Sequence, residues 1–277
     1  MLHCELGEKR GGMPADHLLT ERRGVVGVIT LNRPEIRNAF DDALIASLTG
    51  ALREMDADRA VRAVLLAGNG PAFCAGADLN WMKRMAGYGY EQNLADARAL
   101  AAMLMTLDRM SKPTVARVHG PAFAGGTGLV SACDVAIGTP AAEFALTEVK
   151  LGLSPATISP YVVRAIGERA ARRYFLTGER FGAAEAYRLG MLSMVVTPEK
   201  LDAEIDAILQ HLVQGGPEAH GEIKDLIRVV SPGGPITDAV MDDTAQRIAG
   251  IRVSPEGREG IASFLEKRKP GWLAPKT

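Results

Sequence analysis

The sequence predicts an α/β fold with mainly parallel strands, followed by a helical C-terminal part. Three observations carry this. Short β-branched runs alternate with helix-period segments through the first half of the 277 residues. Two Gly/Ala-rich loops each follow a strand-like run and enter a helix. From about residue 159 onward the signals are nearly all helical.

Residues 24–31 (GVVGVITL) alternate and are β-branched, which predicts a strand. NRPEIRNAF follows as a loop, and Asp41 or Asp42 can cap a helix running to about residue 57. Its inward stripe is Leu44, Ile45, Leu48, Leu52 and Met55. VRAVLLA (61–67) is the next strand and GNGPAFCAGADL the loop after it. A long helix fits about 90–110, with Leu94, Ala97, Ala101, Leu104 and Leu107 as its stripe. TVARVHG and CDVAIGT are strands, separated by PAFAGGTGLVSA, a loop that becomes a short helix. ERAARRYFLTG, GAAEAYRLG, 198–214, 217–230, 237–250 and 255–268 are helical, with VVTP near 195 as one more short strand. The organisation expected is an arm over 1–19, an α/β core over 20–197 and a helical region over 198–277. Periodicity alone would build the core as a doubly wound sheet.

Apolar residues make up 47% and charged residues 23%, ordinary for a globular protein that folds without disulfide or metal staples. The 32 basic and 33 acidic residues leave a net charge of −1, so no global field favours nucleic acid or an acidic membrane surface. Cys4, Cys74 and Cys133 are odd in number and lack metal-ligand spacing, which fits a reducing cytoplasm. No apolar run reaches the roughly 18 residues of a membrane span. The first residues mix both charge signs without an apolar core, unlike a secretory signal. Met13 is an alternative start, which the intact mass of natively expressed protein decides.

Ala75-Gly76-Ala77-Asp78-Leu79 and Ala124-Gly125-Gly126-Thr127-Gly128 are the two loops able to carry chemistry. Small residues let a ligand approach the backbone, and a helix N-terminus offers unpaired N–H groups. Two such donors aimed at one point make an oxyanion hole; tight turns made only for packing are the alternative. Neither loop fits G-x-x-x-x-G-K-[ST] or G-x-G-x-x-G, and no G-x-S-x-G elbow occurs. His119, Cys74, Cys133 and Asp134 read as structural, Asp134 through a hydrogen bond at the start of a strand. Trp81, Met82 and Met85 either line a channel or pack a helix.

With LNRPEIRNAF, AFCAGADLNWM, HGPAFAGGTGLVSACDVAI, FALTEVKLGLSP and SPEGREGIASFLEKRKPGW in this order, the chain resembles the crotonase (enoyl-CoA hydratase/isomerase) family over about residues 20–275. The resemblance implies a spiral of strand–strand–helix units with a C-terminal helical trimerisation region, hence a homotrimer or hexamer. It implies an acyl-CoA thioester as substrate, with coenzyme A arriving as part of it and no metal or redox cofactor. It places the backbone N–H groups of Ala77 and Gly125 on the thioester oxygen. Coenzyme A would lie along Ile36, Arg37, Ala39, Ala75, Asp78 and Leu79, with Gly126, Gly128 and Thr147 also lining the substrate. Arg37 is either a phosphate partner or a solvated surface residue, and Asp78 is suited to capping the helix after it.

Family hydratases hold water between two glutamates. The second corresponds to Glu148 here; the first corresponds to Gly128. One carboxylate can take a proton from water and return one to C2, so Glu148 alone suffices for hydration. It also suffices for a 1,3-proton shift, which makes an isomerase the runner-up; decarboxylation and thioester hydrolysis share the same stabilised oxyanion. A non-catalytic acyl-CoA binder or an RNA binder is the reading from another class. Gly128 is expected to leave room for a branched or polar acyl group. The stretch from GTGLVSACDVAI to FLTGERF is most similar to bacterial methylglutaconyl-CoA or isohexenylglutaconyl-CoA hydratases. Their substrates carry a distal carboxylate, for which Arg84 and Arg164 are the candidate partners.

Overall fold

The computed structural model describes residues 17–231 and 234–273. The expected arm up to residue 16, with Cys4 and Met13, lies outside the described residues.

β1 (Leu18–Arg23) pairs antiparallel with β2 (Val26–Leu31) across a turn at Gly24. β1 starts two residues inside the segment expected as an arm. Its residues after Leu18 are all exposed, so it carries no apolar alternation to betray it. α1 (Asp42–Ala57) is capped by the Asp41 carboxylate, which accepts from Leu44 N–H at 2.8 Å. β3 (Ala63–Gly68) then runs parallel to β2. α2 (Leu79–Met85) and α3 (Tyr90–Asp108) follow. Of the stripe expected on α3, Leu104 and Leu107 are buried while Ala97 is exposed; Met103 takes the inward place.

β4 (Thr114–Val118), β5 (Ala122–Phe123), α4 (Gly125–Ala132), β6 (Val135–Gly138) and β7 (Glu143–Ala145) complete the middle of the chain. α5 (Ser159–Thr177) is broken at Gly167, whose φ of 76° only glycine adopts readily. β8 (Arg180–Gly182), α6 (Ala183–Leu189) and β9 (Met194–Val195) lead into four helices. These are α7 (Pro198–Gln214), α8 (Pro217–Val230), α9 (Asp238–Val253) and α10 (Pro255–Leu265).

The main sheet has the order β1-β2-β3-β4-β6-β9. A doubly wound sheet reverses its order at a switch point; this one never does. The chain advances in one direction, and the doubly wound expectation gives way to the spiral. Between successive main strands the chain adds a short strand to a second stack. β5, β7 and β8 form its sheet, and the parallel bridges Phe40–Ala77 and Cys74–Ala122 continue it. Strands of two or three residues leave almost no periodicity in a sequence, which is why β5, β7 and β8 escape the pattern reading.

Side-chain alternation sends the two faces of the main sheet into two cores. Ile29, Leu31, Val64 and Leu66 meet α1, α3, α4 and α5 on one face. Val28, Ala63, Leu65, Val115 and Ile137 meet Leu201, Ile205 and Leu209 of α7 on the other. These three residues, at i, i+4 and i+8, form one stripe, each contributing roughly 1.5–3 kcal/mol on burial. Thus α7, the first element of the region expected over 198–277, belongs to the core packing.

Polar anchors dock the helices beyond it. Lys224 of α8 reaches Asp134 at 2.7 Å, and Asp134 also accepts from the Thr114 N–H and hydroxyl. This gives Asp134 the structural role expected for it. Arg62, at the foot of β3, donates to the carbonyls of Gly215 and Trp272.

Candidate active site

The second stack brings three loops side by side. Phe40 N–H donates to Gly76 O at 2.6 Å and Asp78 N–H to Phe40 O at 2.7 Å. Ala75 N–H donates to Arg37 O, Phe123 N–H to Cys74 O, and Ala124 N–H to Ala145 O at 2.8 Å. A Cβ at Gly76 would lie 3.2 Å from Ala124 Cβ, so the loops ending in Ala77 and Gly125 touch. Only two residues, Leu146 and Thr147, separate Ala145 from Glu148. The ladder thus joins the loops that the resemblance assigns to the oxyanion, and Glu148 follows just beyond its last rung.

Both expected donors are free. The bridge to Phe40 uses the groups of Gly76 and Asp78 and leaves Ala77 N–H without a protein acceptor among the described residues. Gly125 is the first residue of α4, where amides have no intrahelical partner; Gly128 N–H makes the first such bond, to Ala124 O at 3.1 Å. Ala124 is held at φ 46°, ψ −114°, a conformation L residues rarely adopt. Strain of this kind costs about 1–3 kcal/mol and gathers at functional sites. Here it stands at the junction of β5 and α4, directly before Gly125 and beside Gly76.

Glu148 lies in the first turn of a 3-10 helix over Thr147–Leu151. It is half-buried, and its Oε2 is shut away with no hydrogen-bond partner among the described residues. Burial pushes its carboxyl above the usual glutamate range, opposed by its own backbone N–H. Lys150 points to solvent and does not pair with it. A buried carboxylate oxygen left without a donor is costly as structure and useful as a base.

Of the other residues expected at the site, Ala39 is buried and Ile36, Ala75 and Thr147 are half-buried along the same ladder. Arg37 is exposed, with its backbone in the left-handed region and its side chain without an ion pair among the described residues. Leu79, the first residue of α2, is exposed. Gly126 is buried against Cys74. Asp78 is a cap and brace, accepting from Asn80 and Trp81 N–H and from Arg33.

The structure corrects two expectations. The space beside Gly128 is not open to an acyl group: a Cβ there would lie 2.5 Å from Ile158 Cγ2. Arg84 pairs with Asp42, and Arg164 with Asp108, so neither candidate for a distal carboxylate is free. Of the two readings open for Trp81, packing is the one observed: it is part of the core, with its indole N–H donating to Asp96 at 3.1 Å. Two surface grooves, of about 510 and about 360 Å³, lie on α9–α10 and between α1 and α3; neither includes Glu148, Ala77 or Gly125.

Sequence reasoning missed three residues that build the site. Arg33, nearly buried, pairs with Asp41 at 2.8 Å and Asp78 at 3.3 Å and donates to Ala39 O. It clamps the loop after β2 to the loop of Ala77; removing one partner of such a buried pair typically costs about 3–5 kcal/mol. Asn38, fully buried, caps the carbonyls of Asn69, Ala72 and Phe73 and accepts from Arg33 N–H. Both stand in LNRPEIRNAF, where a polar residue in a loop gives no sign that it is buried. Ile158 is the third.

Fold and site together define an α/β-spiral protein that presents two backbone donors and one buried acid at the ends of its short strands. The chain belongs to the enoyl-CoA hydratase/isomerase family, whose sequence profile matches residues 21–275. It is similar to the crystal structure of an enoyl-CoA hydratase from Shewanella pealeana, with a TM-score of 0.91 and 42% identity over 94% of this chain and 97% of that one. It is similar to an enoyl-CoA hydratase/isomerase from Marinobacter aquaeolei, with a TM-score of 0.86 and 35% identity over 94% and 100% of the two chains. A Thermus thermophilus relative, provisionally named an enoyl-CoA hydratase, is 38% identical over 248 residues, 90% of this chain and 97% of its own.

Proposed function

We propose that the protein adds water to the double bond of an α,β-unsaturated acyl-CoA, with Glu148 as the sole acid–base group. The observation that carries this is the shut-away, partnerless Glu148 oxygen three positions after Ala145, which closes the ladder that carries the two free backbone donors. Glu148 takes a proton from water as the water oxygen bonds to C3. The electron pair of the double bond moves through C2 onto the thioester oxygen, held by the Ala77 and Gly125 N–H groups. The enolate then collapses and C2 takes the proton back from Glu148. Atoms balance without a cofactor. The assay is hydration of a panel of crotonyl-, 3-methylcrotonyl- and 3-methylglutaconyl-CoA, and absence of hydration across it removes the proposal. The branched or glutaconyl acyl group rests on the sequence similarity; Ile158 over Gly128 presents hydrocarbon there and favours an apolar acyl chain. A 1,3-proton shift on a 3-enoyl-CoA is the second reading, favoured by the same apolar wall where a second carboxylate would stand.

The raised Glu148 pKa sets two pH signs. As the base, Glu148 acts ionised, so kcat/KM falls on acidification at a pH above 4.5, the ordinary glutamate value. A group whose pKa is raised on folding stabilises the fold below its unfolded pKa and loses that contribution as pH rises through the folded one. Glu148→Gln therefore raises the thermal midpoint at pH 7 and loses this advantage at pH values below the ordinary glutamate pKa. Midpoints measured across that range check it.

We further propose a homotrimer or hexamer built through the C-terminal helices. α9 buries none of its residues within the chain, and Ile227, Met241, Val253 and Phe264 are exposed. Sedimentation at micromolar concentration is expected to give at least three chains; a monomer contradicts it. The core that binds acyl-CoA is then the spiral, 20–197, and the reducing cytoplasm the proposed location.

A further inference from the structure

We propose that Ile158 is a positioning residue, locking the segment that carries Glu148 against the helix that carries the Gly125 amide. The proposal rests on the reaction site described above and concerns what sets its geometry. Ile158 is 2% exposed and stands directly on the backbone of α4. A Cβ at Gly128 would meet its Cγ2 at 2.5 Å and its Cβ at 2.9 Å. Nothing fits between the two elements.

Gly128 belongs to the turn that presents the oxyanion amide. Its N–H closes onto Ala124 O, and strained Ala124 orients Gly125. Ile158 ends the segment that begins at Glu148. Its carbonyl accepts from Tyr161 and Val162 N–H, which roots it at the start of α5. The acid is therefore tied to α4 at both ends. Upstream, Ala145 O holds Ala124 N–H at 2.8 Å; downstream, Ile158 bears on Gly128. A β-branched side chain is stiff about χ1, and close-packed interiors transmit a displacement rather than absorb it. The contact between a methyl and a bare Cα thus sets the distance from carboxylate to amides. It also excludes a second carboxylate at position 128, which leaves both proton transfers to Glu148.

The test compares Ile158→Val, Ile158→Leu, Gly128→Ala and the double variant Gly128→Ala/Ile158→Ala in the full-length protein. Hydration of crotonyl-CoA gives kcat and KM. Affinity for acetoacetyl-CoA, whose enolate puts charge on the thioester oxygen, reads the amides without turnover. Valine keeps Cγ2 and is expected to keep kcat. Leucine has the same volume without that methyl and is expected to lose about tenfold in kcat with little change in KM. Gly128→Ala is expected to lose about 10²-fold, the effect of a misplacement near 1 Å, and the double variant to recover at least part of it. A purely structural role would cost stability in both Ile158 variants and leave kcat alike. Equal kcat in Ile158→Val and Ile158→Leu, or Gly128→Ala with wild-type kcat and enolate affinity, overturns the lock. A wild-type protein that binds acetoacetyl-CoA without hydrating any enoyl-CoA removes the hydratase reading alone, and the enolate affinities then decide the lock. Failure of Gly128→Ala to fold leaves the decision to the valine–leucine pair.

Discussion

Glu148→Gln is expected to lower kcat for enoyl-CoA hydration by about 10³–10⁴-fold while KM stays within about threefold. The magnitude follows from the site having one acid. Where two carboxylates share the work, loss of one leaves the other to orient water. Here Ile158 fills the place beside Gly128, and Asp78, the other carboxylate on the ladder, is held by Arg33 and the Asn80 and Trp81 amides. Glutamine keeps the shape and can accept a hydrogen bond but carries no proton to exchange at C2. Steady-state kinetics at neutral pH check the loss. The higher thermal midpoint expected of this variant separates lost chemistry from lost folding. A loss below about tenfold would show that Glu148 is not the proton carrier.

Ala77→Pro is expected to cost about 10²–10³-fold in kcat, the usual effect of removing one oxyanion donor. Proline removes a backbone N–H, and at this position that group makes no structural bond. Phe40 pairs with Gly76 O and Asp78 N–H on either side of it, so the bridge between the loops survives. Binding of the coenzyme A portion should persist, since Arg37, Ala39 and Ala75 are untouched. The measurement is kcat beside the affinity for free coenzyme A. Unchanged kcat would remove Ala77 from the oxyanion hole.

Much of this site was legible in the sequence, for identifiable reasons. CAGADL and FAGGTG are legible as small-residue loops at strand–helix junctions, but packing turns share that composition, and only the family resemblance singles them out as oxyanion loops. Glu148 is visible through its motif alone. Nothing in its local pattern says that a carboxylate preceding Val149 and Lys150 is half-buried, because burial here comes from the packing of α5. The helices from 198 onward are readable to within three residues at their ends, since their caps and stripes are local. The spiral was not: a strand order is a statement about non-local pairing, and β5, β7 and β8 are too short to show a period. Gly128 was read as open space because a sequence shows what a residue lacks. Only the structure shows that Ile158, thirty residues on, takes up the space.

The central claim is tested most directly by running wild-type protein and Glu148→Gln with crotonyl-CoA in heavy-oxygen water and weighing the products. The account predicts that the wild type forms a 3-hydroxyacyl-CoA carrying the heavy oxygen and that the variant forms none at the same enzyme concentration. Consumption of substrate by the wild type without label at C3, or equal labelling by the two proteins, would contradict it.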